Sequence, residues 1–116
     1  MKPYLHAKNS VKRHGGIWED YIEIHDFLDS SKAHVPDMRH RAILHSSFGC
    51  YLAEQVFGTI IVNFDGKIVS VRDICEEHII EDLGTIPTVA DYLDNLPMLD
   101  WLGGPKRKLT EYSLVD

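Results

Sequence analysis

A mainly helical (α+β) fold is predicted, a compact domain of about four helices around a central buried helix with one β-hairpin. Three observations lead there. Apolar residues recur at helical spacing through most of the chain, and glycine or proline interrupts them at intervals of about one helix. One β-branched stretch, Thr59-Ile60-Ile61-Val62-Asn63, is separated from Ile68-Val69-Ser70 by an Asp65-Gly66 turn, a strong hairpin signal.

The first helix is expected from Pro3 to His14, closed by Gly15-Gly16. It holds Lys8, Lys12 and Arg13 and no acid. The second, Ile17 to about Lys32, places Trp18, Tyr21, Ile22, His25 and Leu28 on one stripe at roughly 100° per residue. It is acidic, with Glu19, Asp20, Glu23, Asp26 and Asp29, so pairing with the basic first helix predicts surface ion pairs between the two. Pro36 breaks the pattern. A long helix from about Asp37 to Phe57 has apolar residues nearly all round and reads as the central buried one, ended by Gly58. After the hairpin, a helix runs from Val71 to Leu83, stopped by Gly84, and Thr88 caps a short helix from Val89 to about Asn95. Residues 1–102 are expected to form one domain and 103–116 a C-terminal arm.

The chain has 116 residues, 12 Lys+Arg against 18 Asp+Glu, and seven histidines. The formal charge of −6 argues against a dedicated duplex nucleic-acid binder. No apolar run approaches the about 20 residues a membrane span requires, and the N-terminus lacks the apolar stretch of a signal peptide. Cys50 and Cys75 match no metal-ligand spacing and read as buried free thiols of a reducing, cytosolic setting.

The histidines carry most of the chemical information. His25 precedes Asp29 by four residues and His78 precedes Asp82 by four, each on an apolar stripe, so two inward His–carboxylate pairs are expected. Asp37, Arg41 and His45, also spaced by four, form a ladder with His34 just before it, and His40 is expected to point away from His45. Singly, each such histidine is most often a satisfied core group. Together with Arg41 and Arg72, they suggest a pocket for an anionic, nucleotide-like ligand. The expected ligand donors are His6, His25, His34, Arg41, His45, Arg72 and His78, with Asp29, Asp37 and Asp82 orienting them, in a protein without cofactor that forms a homo-oligomer. Arg72 would add the free N–H groups of its helix's first turn. No Walker loop, G-x-G-x-x-G, G-x-S-x-G or H-E-x-x-H occurs.

The competing reading makes the same residues a metal-dependent hydrolase, with zinc, iron or manganese held by His34, His45, His78 and Asp82. His25-Asp26 resembles the His-Asp doublet of helical metal-dependent phosphohydrolases. A third reading is an interaction module whose histidines are core residues.

The motifs Lys32-Ala33-His34, Asp37-x-Arg39-His40-Arg41-Ala42, Asn63-x-Asp65-Gly66, His78-x2-Glu81-Asp82-x-Gly84 and Ile86-Pro87-Thr88 resemble an uncharacterised family of small phage and bacterial proteins over about residues 6 to 96. The chain departs from that family's pattern at Ser46, where a second histidine is frequent, and at Phe64 and Tyr92. The resemblance implies a phage-linked accessory protein in the host cytosol, and by analogy one that sequesters a nucleotide immune signal.

Overall fold

Pro3 opens helix α1 (Pro3–His14), where a missing N–H costs nothing, and the chain leaves it at Gly15, whose N–H donates to the Val11 carbonyl. This computed structural model describes residues 1–103. A 3₁₀ turn at Trp18–Asp20 leads into α2 (Ile22–Asp29), which buries Ile24, His25, Leu28 and Asp29. A second 3₁₀ turn, Ser30–Ala33, ends it, so the expected single helix over residues 17–32 is an α-helix flanked by two tighter turns.

The expected long central helix is a correction. The stretch from Asp37 to Phe57 divides into a 3₁₀ turn at Met38–His40, helix α3 (Arg41–Leu44), a break at His45 and Ser46, and helix α4 (Ser47–Phe57). His45 has φ −85° and ψ 66°, and Ser46 is extended, with its hydroxyl accepting from Gly49 N–H as the cap of α4. Glycine is required at position 49 because a Cβ there would collide with the Leu44 backbone. Nor is this stretch the buried one: Ile43, Phe48, Tyr51 and Val56 are exposed, and α4 buries only Gly49, Cys50 and Ala53.

Strands β1 (Ile60–Val62) and β2 (Ile68–Ser70) form the expected antiparallel hairpin, with Ile61 opposite Val69. Buried Asn63 ties its turn to the start of α2. Its Nδ2 donates to the His14 carbonyl and the Tyr21 hydroxyl, while its Oδ1 accepts from Asp65 and Lys67 N–H. Helix α5 (Val71–Leu83) follows directly, capped by Ser70 and ended by left-handed Gly84, as expected from sequence. Thr88 caps α6 (Val89–Leu93) in a capping box, and α7 (Asp100–Gly103) closes the described chain. The expected arm lies, apart from Gly103, outside the described residues.

Helices α2 and α5 form the centre, with α1 packed on both and α4 along α5. Their apolar contacts come from Ile24, Leu28, Val71, Ile74 and Ile79, and Cys50 faces Cys75, both free and buried. Of the twelve largest fully buried side chains, five are histidines, so this interior must be held by polar pairing as much as by apolar area. The basic side of α1 does not pair with α2. Arg13 and His14 reach Glu81 and Glu77 on α5 instead, a correction that follows from α5 lying beside α1.

Candidate metal centre

Four chain segments meet in the middle of the fold. Helix α1 supplies His6, α2 supplies His25 and Asp29, the break after α3 supplies His45, and α5 supplies His78, Glu81 and Asp82. The i, i+4 spacings put Asp29 one turn beyond His25 and Asp82 one turn beyond His78, on the inward faces of the two central helices. The break at His45 turns its ring toward them, a direction that a continuous helix would not give.

Two nitrogens and two oxygens converge. His78 Nε2 lies 3.3 Å from Asp29 Oδ1 and 3.4 Å from Asp82 Oδ2. His45 Nε2 lies 3.5 Å from Asp29 Oδ1 and 2.9 Å from Asp82 Oδ2. Ligands 2.0–2.2 Å from a tetrahedral ion stand about 3.3–3.6 Å from one another. Three of the four separations fall in that range, and the His45–Asp82 pair, at hydrogen-bond distance, would need only to open slightly to complete a coordination sphere. Asp29 Oδ2 and His45 Nδ1 are buried without a hydrogen-bond partner.

A neighbouring set, His6, His25 and His78, also brings ring nitrogens close together. Its three rings lie within 18–21° of parallel: His6 is face-on to His78 at a centroid separation of 3.7 Å, whereas His25 meets His78 edge to edge. Lone pairs lie in the ring planes, so the face-on rings of His6 and His78 cannot aim at one ion. His45 and His78, by contrast, meet at 70°. The neighbouring set therefore serves as a wall to the first: His6 Nδ1 is 2.5 Å from Glu81 Oε1, and its unpartnered Nε2 is 3.2 Å from Asp82 Oδ1.

The electrostatics follow from burial. Desolvation, reinforced by His78 and His6, pushes the His25 ring down to about 2, and desolvation brings His45 to about 4 against the upward pull of Asp82. Burial also lowers His6, so these three are neutral imidazoles. His78 goes the other way: burial opposes its charged form, but hydrogen bonds to Asp29 and Asp82 outweigh it and raise the ring. The same bonds hold both carboxylates below their ordinary range despite burial, Asp82 furthest. Of the buried rings, His78 is thus the one whose charged form the site favours, between two carboxylates.

Around the rim, Arg13 pairs with Glu81 and the Met1 ammonium lies 3.1 Å from Asp82 Oδ1. Arg41 Nη2 lies 3.7 Å from the same oxygen, its side chain one-fifth exposed and its Nε without a partner. The Tyr92 hydroxyl donates to the His45 carbonyl and steadies the break.

Of the residues singled out in the sequence, the structure brings together His6, His25, Asp29, Arg41, His45, His78 and Asp82. His34 is exposed and apart from the others, because the 3₁₀ turn of residues 30–33 leaves it facing solvent. Arg72 is held by Glu54, with Glu76 also near, at the far end of α5. Asp37 caps the 3₁₀ turn and pairs with Arg39, so the 37–41–45 ladder does not form. Asp26 is exposed, and Asp29 is the acid that enters the site. His40 is not directed away: it is buried against Ser31, with its ring edge-on to His45 at 5.6 Å. Sequence reasoning missed Ser10 and Glu81. Glu81 carried a signal, since it follows His78 by three residues on the same side of α5.

No helix among the described residues is long and apolar enough to cross a membrane. A family model described as "Domain of unknown function (DUF6915)" matches residues 1–102. No curated protein and no solved structure matches the chain.

Proposed function

We propose, for a chain that belongs to the DUF6915 family of domains of unknown function, that Asp29, His45, His78 and Asp82 bind one divalent transition metal ion and that the protein is a metal-dependent hydrolase of small phosphorylated substrates. One observation carries the metal reading: two imidazole nitrogens and two carboxylate oxygens from three chain segments lie at ligand-to-ligand spacing in a buried place that demands positive charge. Mixed nitrogen and oxygen donors suit zinc, iron or manganese. Such an ion would activate water and a phosphoryl oxygen as a Lewis acid once its coordination expands beyond these four ligands.

The chain's own residues set up the rest. Asp29 and Asp82 supply the negative charge that retains a divalent ion. Glu81 fixes the His6 ring, which covers one face of His78. Arg41, its side chain one-fifth exposed beside Asp82, is placed to hold the anionic group of a substrate at the rim of the centre. Elemental analysis of protein purified without a nickel column should find about one zinc, iron or manganese per chain. Metal-free protein that also leaves a panel of phosphomonoesters and nucleotides unchanged would overturn the reading.

A second reading keeps Arg41 as its supporting observation: a binding protein that takes up an anionic, nucleotide-like ligand without changing it, as a phage-encoded sequestering protein in the host cytosol would. The three carboxylates around the histidines disfavour an anion at the centre itself, so this reading would place the ligand at the rim. It predicts nucleotide binding in protein stripped of metal, measurable by calorimetry. The homo-oligomer belongs with these proposals, supported by the exposed apolar face of Ile60, Val62, Phe64 and Ile68 on the hairpin and tested by sedimentation.

A further inference from the structure

Beside the face-on pair of His6 and His78, a hydrogen-bond chain runs from Ser10 through His25 and ends on the proposed metal ligand His78. We propose that Ser10 and His25 are positioning residues that fix which nitrogen of His78 faces the centre, an inference that rests on the metal reading above.

Hydrogen-bond accounting assigns each proton in turn. Ser10 Oγ lies 3.2 Å from the His6 carbonyl oxygen, which can only accept, so the hydroxyl proton goes there. The same oxygen lies 2.8 Å from His25 Nε2, which must then donate to it. A neutral His25 has its lone pair on Nδ1, and that atom lies 2.8 Å from His78 Nδ1, which must donate in its turn. His78 therefore carries its fixed proton on Nδ1 and presents Nε2 to Asp29 and Asp82. That nitrogen is the one left to face a metal ion, while the rest of the chain keeps its polarity.

The opposite polarity has a different consequence. Were the Ser10 hydroxyl turned to His25 Nε2, His25 would donate from Nδ1, and the single proton of a neutral His78 would be confined to Nε2. That nitrogen would then be closed to a metal. All three groups are buried, Ser10 and His25 at 1% exposure and His78 at 0%, so no solvent competes for these bonds. An outer partner that accepts from the second ring N–H is the ordinary means of orienting a ligating histidine. Here that partner is another imidazole, itself oriented by a serine on α1.

The test uses the full chain and zinc ion alone, with long-range proton–nitrogen NMR correlations to read each ring's tautomer. In the zinc-loaded protein, His25 is expected as the Nε2–H form and His78 as the Nδ1–H form with zinc on Nε2. Ser10→Ala should weaken zinc affinity about tenfold, and Ser10→Thr, which keeps the hydroxyl, should restore it. A proton on His25 Nδ1, zinc on His78 Nδ1, or unchanged affinity in Ser10→Ala overturns the inference while leaving the metal centre standing. Absence of zinc binding removes the metal reading itself, and this one with it. The tautomers are read in the unsubstituted chain, so the test survives a variant that fails to fold.

Discussion

Asp82 has two separate duties, one for each oxygen. Oδ2 faces His45 and His78, and Oδ1 faces His6, the Met1 ammonium and Arg41. Asp82→Asn should therefore lower metal content from about one per chain to below a tenth, read by elemental analysis after dialysis. His34→Ala should leave it unchanged, because His34 is on the surface. In the metal-free protein the histidines also set the pH dependence of stability. His6, His25 and His45 are lowered by folding, so the unfolded chain gains protons first as pH drops below 6.5, and stability is lost in that direction. Asp29 and Asp82, also lowered, extend the loss below 3.8, whereas raised His78 contributes stability that is lost as pH rises through its folded value. Each lowered histidine should remove about 1.4 kcal/mol per pH unit over its window, so chemical denaturation of metal-free protein should show a steep decline between pH 6.5 and 4. A flat profile there would show these rings to be charged in the fold. At this scale the site was half legible. Spacing by four found His78 with Asp82 and put His25 and Asp29 on the inward face of α2, because a helix face is a local property. The expected His25–Asp29 pair does not form: His25 meets Ser10 and His78, and Asp29 turns to His45 and His78. His34 and Arg72 were misassigned because a turn and an ion pair with Glu54, neither visible locally, took them elsewhere.

The element that matters most is the interruption at His45 and Ser46. Helix α1 and the end of α5 could be bounded closely because Pro3, Gly15 and Gly84 mark them in sequence. The 37–57 stretch has no proline or glycine before Gly49, and its apolar residues continue through the break, so periodicity alone reads it as one helix. The available signal was Ser46 three residues before Gly49, a cap followed by the one residue small enough to approach Leu44. Gly49→Ala should consequently destabilise the fold by about 2–4 kcal/mol, through a backbone clash rather than any change in helix propensity. Ser46→Ala, which removes only the cap, should cost about 1 kcal/mol. Denaturant titration checks both, and metal affinity should fall with Gly49→Ala because His45 is carried by the same break. An unaffected Gly49→Ala protein would mean that α3 and α4 move apart freely.

At the scale of the whole molecule, five large histidines stand where a domain of this length would ordinarily place aliphatic side chains. Hydrophobic burial is correspondingly short, so a metal ion joining α2, α5 and the His45 break would become part of the fold's stability. Saturating zinc at a hundred times its dissociation constant should add about 2.7 kcal/mol, visible as a rise in melting temperature that a chelator reverses. A melting temperature indifferent to metal and chelator alike would argue that the centre holds none. The participating side chains begin at His6 and end at Asp82, so nearly the entire described sequence must exist before they can meet. During synthesis the first helix leaves the ribosome well before its partners on α5, and an N-terminal segment with His6 and Ser10 waits for them uncovered. A metal held by Asp29, His45, His78 and Asp82 would be captured only after Asp82, about seven-tenths of the way along the chain, has emerged, which would make loading a late event and leave chains truncated before it without a centre.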